Sequence, residues 1–287
     1  MPPSRKRIGR CWCFVITAER LAVTPNDAYR SSMNSDIVDL KAFYGSLLGR
    51  LAERSITMAL SSIWSKLPDE RLVGLGYAVP WLDRLGGDAE RVFAFMPARQ
   101  GAVRWPPGKP SATALVLEED LPLADSSIDR VLVVHALEHA EDPKQMLLEL
   151  WRVLAPGGRL VIVVPNRRGL WARFEHTPFG TGRPYSRSQL VEILREANFT
   201  PGAWADTLLF PPARRRWIMK FHQVLERVGR RFWPLFAGAL VVEAEKRLYQ
   251  GLPATAKRRR RVLVPVLAPQ GVTHMPRGIE KLKQTGE

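Results

Sequence analysis

Five consecutive apolar residues, Leu160 to Val164, constrain this chain more than any other stretch of it. A strand with one wet face alternates polar and apolar positions. An uninterrupted run bounded by Pro156-Gly157-Gly158 and Pro165-Asn166 therefore reads as a strand covered on both faces, the kind that parallel sheets contain. A similar strand is expected at 130–134, and one amphipathic helix lies between the two. Asp142 caps that helix and Pro143 takes its first position. Met146, Leu147, Leu150, Val153 and Leu154 form its buried stripe, and Pro156-Gly157-Gly158 is expected to stop it.

The alternation extends along the chain. A first helix is expected over 36–64, capped by Asn34-Ser35-Asp36, with Ile37, Leu40, Phe43, Tyr44, Leu47 and Leu51 at helical spacing. A strand at 71–73 enters the turn Gly74-Leu75-Gly76-Tyr77-Ala78, and a short helix follows at 80–85. Further strands are expected at 91–95, 113–117, 203–210 and 239–244, and further helices at 186–198 and 217–228. Strands alternating with helices make an α/β domain with a mostly parallel sheet.

Charge narrows the partners. The chain of 287 residues has 43 Lys+Arg against 28 Asp+Glu, a net +15. Residues 1–32 hold +4 of this and residues 251–287 hold +6, so the intervening 33–250 keep only +5. At 46% hydrophobic and 25% charged residues, wholesale disorder, collagen and disulfide scaffolds are excluded. Cys11 and Cys13 stand too close for a comfortable disulfide, and a body without cysteine suits a reducing cytoplasm. The apolar run 11–18 follows four basic residues, but Glu19-Arg20 stands where a signal peptide needs small residues. Met33 is read as the native start, 1–32 as a disordered or non-native extension, 33–250 as the domain (core 71–200) and 251–287 as a basic flexible tail. The run 232–242 contains Pro234 and is too short to span a bilayer, so no transmembrane segment is expected.

The specific signal lies in the middle. Leu121-Pro122-Leu123-Ala124-Asp125-Ser126-Ser127-Ile128-Asp129 is followed by His135-Ala136-Leu137-Glu138-His139. Leu148-Glu149-Leu150-Trp151-Arg152-Val153-Leu154 and Ala155-Pro156-Gly157-Gly158 come next. In order and spacing this resembles the class I S-adenosylmethionine-dependent methyltransferases, in particular their small-molecule branch with the type 11-like domain. The likeness covers about 72–199. It implies a Rossmann-like, doubly wound sheet, closed by an antiparallel hairpin at 203–210 and 239–244, in a single domain. It also implies S-adenosyl-L-methionine as cofactor. Gly74, Gly76 and Ala78 match the turn that cradles the cofactor's amino-acid end, Met96 the ribose position, and Glu119 the position near the adenine. His135 follows the fourth strand, where the family faces both cofactor and substrate. The chain departs from the family at four places: Leu72 and Leu117 replace acids, Ala78 a glycine, and Met96 the acid that holds the ribose hydroxyls.

A base is required only for an acceptor that loses a proton, and His135, His139 and His176 are the candidates, each with a structural hydrogen bond as its alternative. His135-x-x-Glu138-His139 also spells a zinc motif, but a strand precedes it and the helix begins only at Asp142, so no metal is expected. The loop from Asn166 collects Arg167, Trp171, Arg183 and Tyr185. It reads either as a lid over an anionic or aromatic substrate or as a solvated loop whose tryptophan plugs the core. Arg214 to Arg216 and Arg227 to Arg231 flank an aromatic stretch that could touch an anionic membrane through 214–231; no nucleic-acid-reading motif accompanies it. The expectation is a cytoplasmic methyltransferase for an unidentified small-molecule acceptor. The alternative is a non-catalytic binding or regulatory protein of the same fold. Gly76→Val is expected to abolish cofactor binding in a folded protein.

Overall fold

A computed structural model of the chain describes residues 36–64, 67–212 and 236–248, with the single positions 224, 226, 228, 229 and 231. The expectations for 1–32 and Met33, for the helix at 217–228 and its membrane contact, and for the tail at 251–287 lie outside the described residues, single positions apart.

Seven strands form one sheet in the order β3-β2-β1-β4-β5-β7-β6. They are β1 (Arg71–Gly76), β2 (Arg91–Pro97), β3 (Thr113–Val116), β4 (Ile128–Val134), β5 (Leu154–Pro165), β6 (Phe199–Thr207) and β7 (Ala239–Lys246). The first five run parallel, and β7 pairs antiparallel with both β5 and β6. The doubly wound sheet with its closing hairpin is thus as expected.

Strand parity sorts the core into two layers, because alternate side chains point to opposite faces. Leu72, Leu132, Val134, Val161 and Val163 face α1 (Ile37–Gly45), α2 (Leu47–Ile63) and α3 (Val79–Leu85). Val73, Leu75, Val131, Val133 and Ile162 face α4 (Pro143–Val153) and α5 (Arg187–Glu196). Asp142 caps α4 by accepting from the N–H groups of Lys144 and Gln145, and Ser186 with Gln189 forms a reciprocal capping box on α5.

Three local expectations are corrected. The helix at 36–64 is two helices broken at Ser46, whose hydroxyl accepts from Gly49 N–H and starts α2. Pro156-Gly157-Gly158 does not stop α4, which ends at Val153. The tripeptide lies inside β5, where the pairing with β4 shifts register between Ile128 and Arg130. The sixth strand starts at Phe199 rather than 203 and absorbs Pro201-Gly202 in an irregularity against β7.

The central motif ties the sheet to the segments around it. Glu149 accepts from Leu121 N–H at 2.8 Å and from Arg152 at 2.6 and 2.8 Å, while Arg152 also donates to the Leu121 and Leu123 carbonyls. Asp129 takes the Arg71 guanidinium through both oxygens, tying β4 to β1.

Candidate functional site

The strand order reverses between β1 and β4, and open α/β sheets bind ligands in the crevice at such a point. β1 delivers Gly74-Leu75-Gly76 there. Gly76 has φ +83°, and a Cβ on it would stand 2.2 Å from the Val134 carbonyl oxygen and 2.9 Å from Ala136 Cβ. A Cβ on Gly74 would meet Ala78 Cβ at 2.7 Å. Ala78 itself is buried at the start of α3, and Tyr77 N–H donates to Val134 O at 2.8 Å. The glycines thus let β1 pack against β4 and α3. This corrects the expectation for Gly76→Val: the obstacle is backbone, so the fold itself would be damaged.

Side chains close the crevice. The Tyr44 ring, from α1, stacks on Tyr77 at 5.3 Å and 18° and meets Trp81 edge-on at 5.5 Å. Its hydroxyl lies 2.8 Å from His135 Nε2, and His135 Nδ1 lies 3.0 Å from Glu138 Oε1. Tyr44 is 5% exposed, His135 and Glu138 1% each. The carboxylate takes Nδ1–H, which leaves Nε2 as an acceptor for the Tyr44 hydroxyl. Burial raises the Tyr44 pKa well above its ordinary value, and Tyr77, Glu138 and Glu53 add to the rise, so the phenol remains a donor. Phe179 covers the imidazole from 4.8 Å.

His135 has φ +53°, a left-handed conformation uncommon outside glycine and a form of strain that collects at functional sites. Gln100 Nε2 donates to its carbonyl. Two buried acceptors beside it, Gln100 Oε1 and Glu138 Oε2, have no partner among the described residues. Sequence reasoning found His135 but missed Tyr44 and Gln100, which pair with it across 91 and 35 positions. The one available signal was a tyrosine in an otherwise mostly aliphatic helix stripe.

The other expected site residues are dispersed. Met96 is fully buried at the end of β2, where its sulfur accepts from Val103 N–H at 3.2 Å. Glu119 is exposed in the short turn after β3. His139 is half-buried beneath Gly182, and His176 sits at the surface with Nε2 3.4 Å from the Pro212 carbonyl. Trp171 is corrected from substrate ligand to core plug. It is fully buried, packed edge-on against Phe179 and Phe210, and its indole N–H donates to Phe210 O at 2.6 Å. Tyr185 is 9% exposed and serves as a clamp, because residues 183–185 lace the end of β4 to the end of β5. Arg183 N–H donates to Glu138 O, Tyr185 N–H to Pro165 O, and Arg167 N–H to Tyr185 O. Burial pushes the Tyr185 phenol up to about 12. The Arg167 and Arg183 side chains remain exposed.

Comparison with known proteins bears on this geometry. Residues 73–162 match the family model described as a methyltransferase domain. A demethylmenaquinone methyltransferase of Renibacterium salmoninarum is 34% identical over 88 residues, 29% of this chain and 33% of that protein. A malonyl-[acyl-carrier protein] O-methyltransferase of Alcanivorax borkumensis is 30% identical over 159 residues, 48% of this chain and 51% of that protein. The solved structure of an S-adenosylmethionine-dependent methyltransferase from Thermotoga maritima superposes with a TM-score of 0.50, at 19% identity. It covers 74% of this chain and 96% of its own. Residues 73–162 are a methyltransferase domain, and the sheet around them has the fold of S-adenosylmethionine-dependent methyltransferases. It spans less than two thirds of the length of each of the curated relatives it matches.

S-adenosylmethionine is the cofactor of this methyltransferase family, and the residues of the domain fit its amino-acid end. The glycine turn lies at the crevice, and the unpartnered Gln100 Oε1 and Glu138 Oε2 call for the protons of an ammonium group. Met96, which the resemblance places at the ribose end, is fully buried with its sulfur taken by Val103 N–H. Among the described residues no helix is long and apolar enough to cross a membrane.

Proposed function

We propose that this chain transfers a methyl group from S-adenosylmethionine to a proton-bearing group of a small-molecule acceptor, and that His135 takes the proton. The observation that carries the reading is the buried His135–Glu138 pair at the carboxyl end of β4. When bound, the cofactor supplies an already activated methyl group, so the protein's work is alignment, exclusion of water and handling of one proton. Glu138 fixes the tautomer that leaves Nε2 basic. Tyr44, Trp81 and Phe179 keep the place dry, and Tyr44 yields its bond to Nε2 when an acceptor takes it. Gly74, Gly76, Gln100 and Glu138 would hold the amino-acid end of the cofactor. Arg167 and Arg183, exposed at the rim, would meet an anionic acceptor group. A chain without cysteine in its body supports a cytoplasmic setting.

The test is methyl incorporation from labelled S-adenosylmethionine into a small-molecule extract, with S-adenosylhomocysteine affinity measured alongside. His135→Gln should leave that affinity within about threefold of wild type and cut incorporation by roughly 10²–10⁴-fold, the usual worth of a general base. Incorporation by His135→Gln at the wild-type rate would remove the base from the proposal. A second reading, a non-catalytic protein of the same fold, is favoured by Met96 in the ribose position and by Tyr44 lying across the crevice. Absence of any S-adenosylhomocysteine binding would decide for it.

A further inference from the structure

Beyond the crevice, the loop after β5 presents charge and apolar surface together. Residues 166–186 carry Arg167, Arg168, Arg173 and Arg183 against a single acid, Glu175. Arg167, Arg168 and Arg173 surround an open cavity of about 670 Å³ that Phe236 also lines. Leu170 and Phe174 are each 40% exposed and Phe236 51%. This face is anchored. Trp171 is buried in the core, and Gly169 abuts the 237–238 backbone so closely that a Cβ would lie 2.3 Å from Ala237 O.

Among the described residues Arg167, Arg168 and Arg173 form no salt bridge, and Asp206, which lines a cavity with Arg168, is paired with Arg187. Between Pro212 and Phe236 the sequence holds seven basic residues and one acid, Glu226. Glu226 is 3% exposed, where Ser55 Oγ donates to it at 2.8 Å and Leu208 N–H at 3.2 Å. Water solvates the guanidinium groups but not the leucine and phenylalanine side chains exposed beside them. An anionic bilayer serves both, since guanidinium forks match lipid phosphates and the apolar side chains enter the acyl boundary.

We propose that the face formed by Arg167, Arg168, Leu170, Arg173, Phe174 and Phe236 docks on a membrane of anionic phospholipids. The proposed face shares no residue with the arginine stretch 214–231 and does not depend on methyl transfer, since a non-catalytic chain would dock in the same way.

Sedimentation of the full chain with phosphatidylcholine vesicles, with and without phosphatidylglycerol, tests it. Binding should require phosphatidylglycerol. The exposed-site variant Arg168→Glu/Arg173→Glu should weaken it by at least about thirtyfold, from roughly fivefold for each membrane-facing arginine. Phe174→Ser/Phe236→Ser should weaken it as well. Both variants should keep the wild-type melting temperature and S-adenosylhomocysteine affinity, which separates this result from the fate of the methyl-transfer reading. Equal binding to pure phosphatidylcholine would overturn the proposal. So would unchanged binding by the arginine variant, which would assign adhesion to the basic ends of the chain. Displacement by millimolar inorganic phosphate would overturn it in favour of a soluble phosphate ligand. A preference for duplex DNA over vesicles that the arginine variant loses would also overturn it.

Discussion

Tyr44→Phe is the most informative single change, because it removes one hydroxyl and leaves the ring. The stacking on Tyr77 and the edge contacts with Trp81 and Phe43 survive. What is lost is the 2.8 Å bond to His135 Nε2, an atom in a residue 1% exposed. A buried acceptor deprived of its donor costs about 1–3 kcal/mol. For a domain of this size each kcal/mol moves the melting temperature by about 2–4 °C, so a fall of about 2–12 °C is expected by calorimetry. The loss should shrink in a His135→Gln background, since the coupling belongs to that pair. Tyr44→Phe melting within about 1 °C of wild type in both backgrounds would show that the hydroxyl does not bind His135. The tautomer assigned through Glu138 would fall with it.

Three further outcomes follow from the same contacts. Gly76→Ala should cost more than the ~1 kcal/mol of a left-handed alanine, because its Cβ meets the Val134 carbonyl; urea unfolding at wild-type stability would contradict this. Trp171→Ala should destabilise by about 3–5 kcal/mol as a core deletion; unchanged stability with lost acceptor binding would restore it as a ligand. The Arg152 guanidinium holds the Glu149 carboxyl below its ordinary 4.5. Its contribution is therefore complete above that value and is lost as pH falls through the lowered one. Glu149→Gln should lose about 1.5–3 kcal/mol at neutral pH and show a flatter acid limb in urea titrations from pH 7 to 3.

The sheet was legible because its signals are local. The apolar runs at β4 and β5 and the Asp142-Pro143 start act within a few residues, so the α/β class followed from them, while the doubly wound arrangement and its closing hairpin came from the resemblance of the 121–158 motifs. The break at Ser46 was hidden because the apolar spacing from Leu40 through Leu51 continues across it. The extended Ser46, whose hydroxyl caps Gly49 N–H, makes the break, and the close approach of Gly49 to the Phe43 carbonyl, where a Cβ would lie 1.9 Å away, accommodates it. Pro156-Gly157-Gly158 looked like a helix stop because glycine and proline mark a turn without saying which element holds it. At the site, His135 was visible through its place after an apolar strand. Its partner Tyr44 was not, since nothing in the spacing of α1 says which strand end its ring will cover. Trp171 sat among cations in the sequence and read equally as ligand or plug; the carbonyl of Phe210, 39 positions away, decided it.

The central claim is that the crevice between β1 and β4 receives S-adenosylmethionine despite Met96 and the covering Tyr44. Calorimetric titration of the full chain with S-adenosylhomocysteine tests it most directly. The account predicts saturable one-to-one binding in the micromolar range, weakened at least tenfold by Gln100→Ala. Absence of heat and of any thermal shift at millimolar ligand would contradict it.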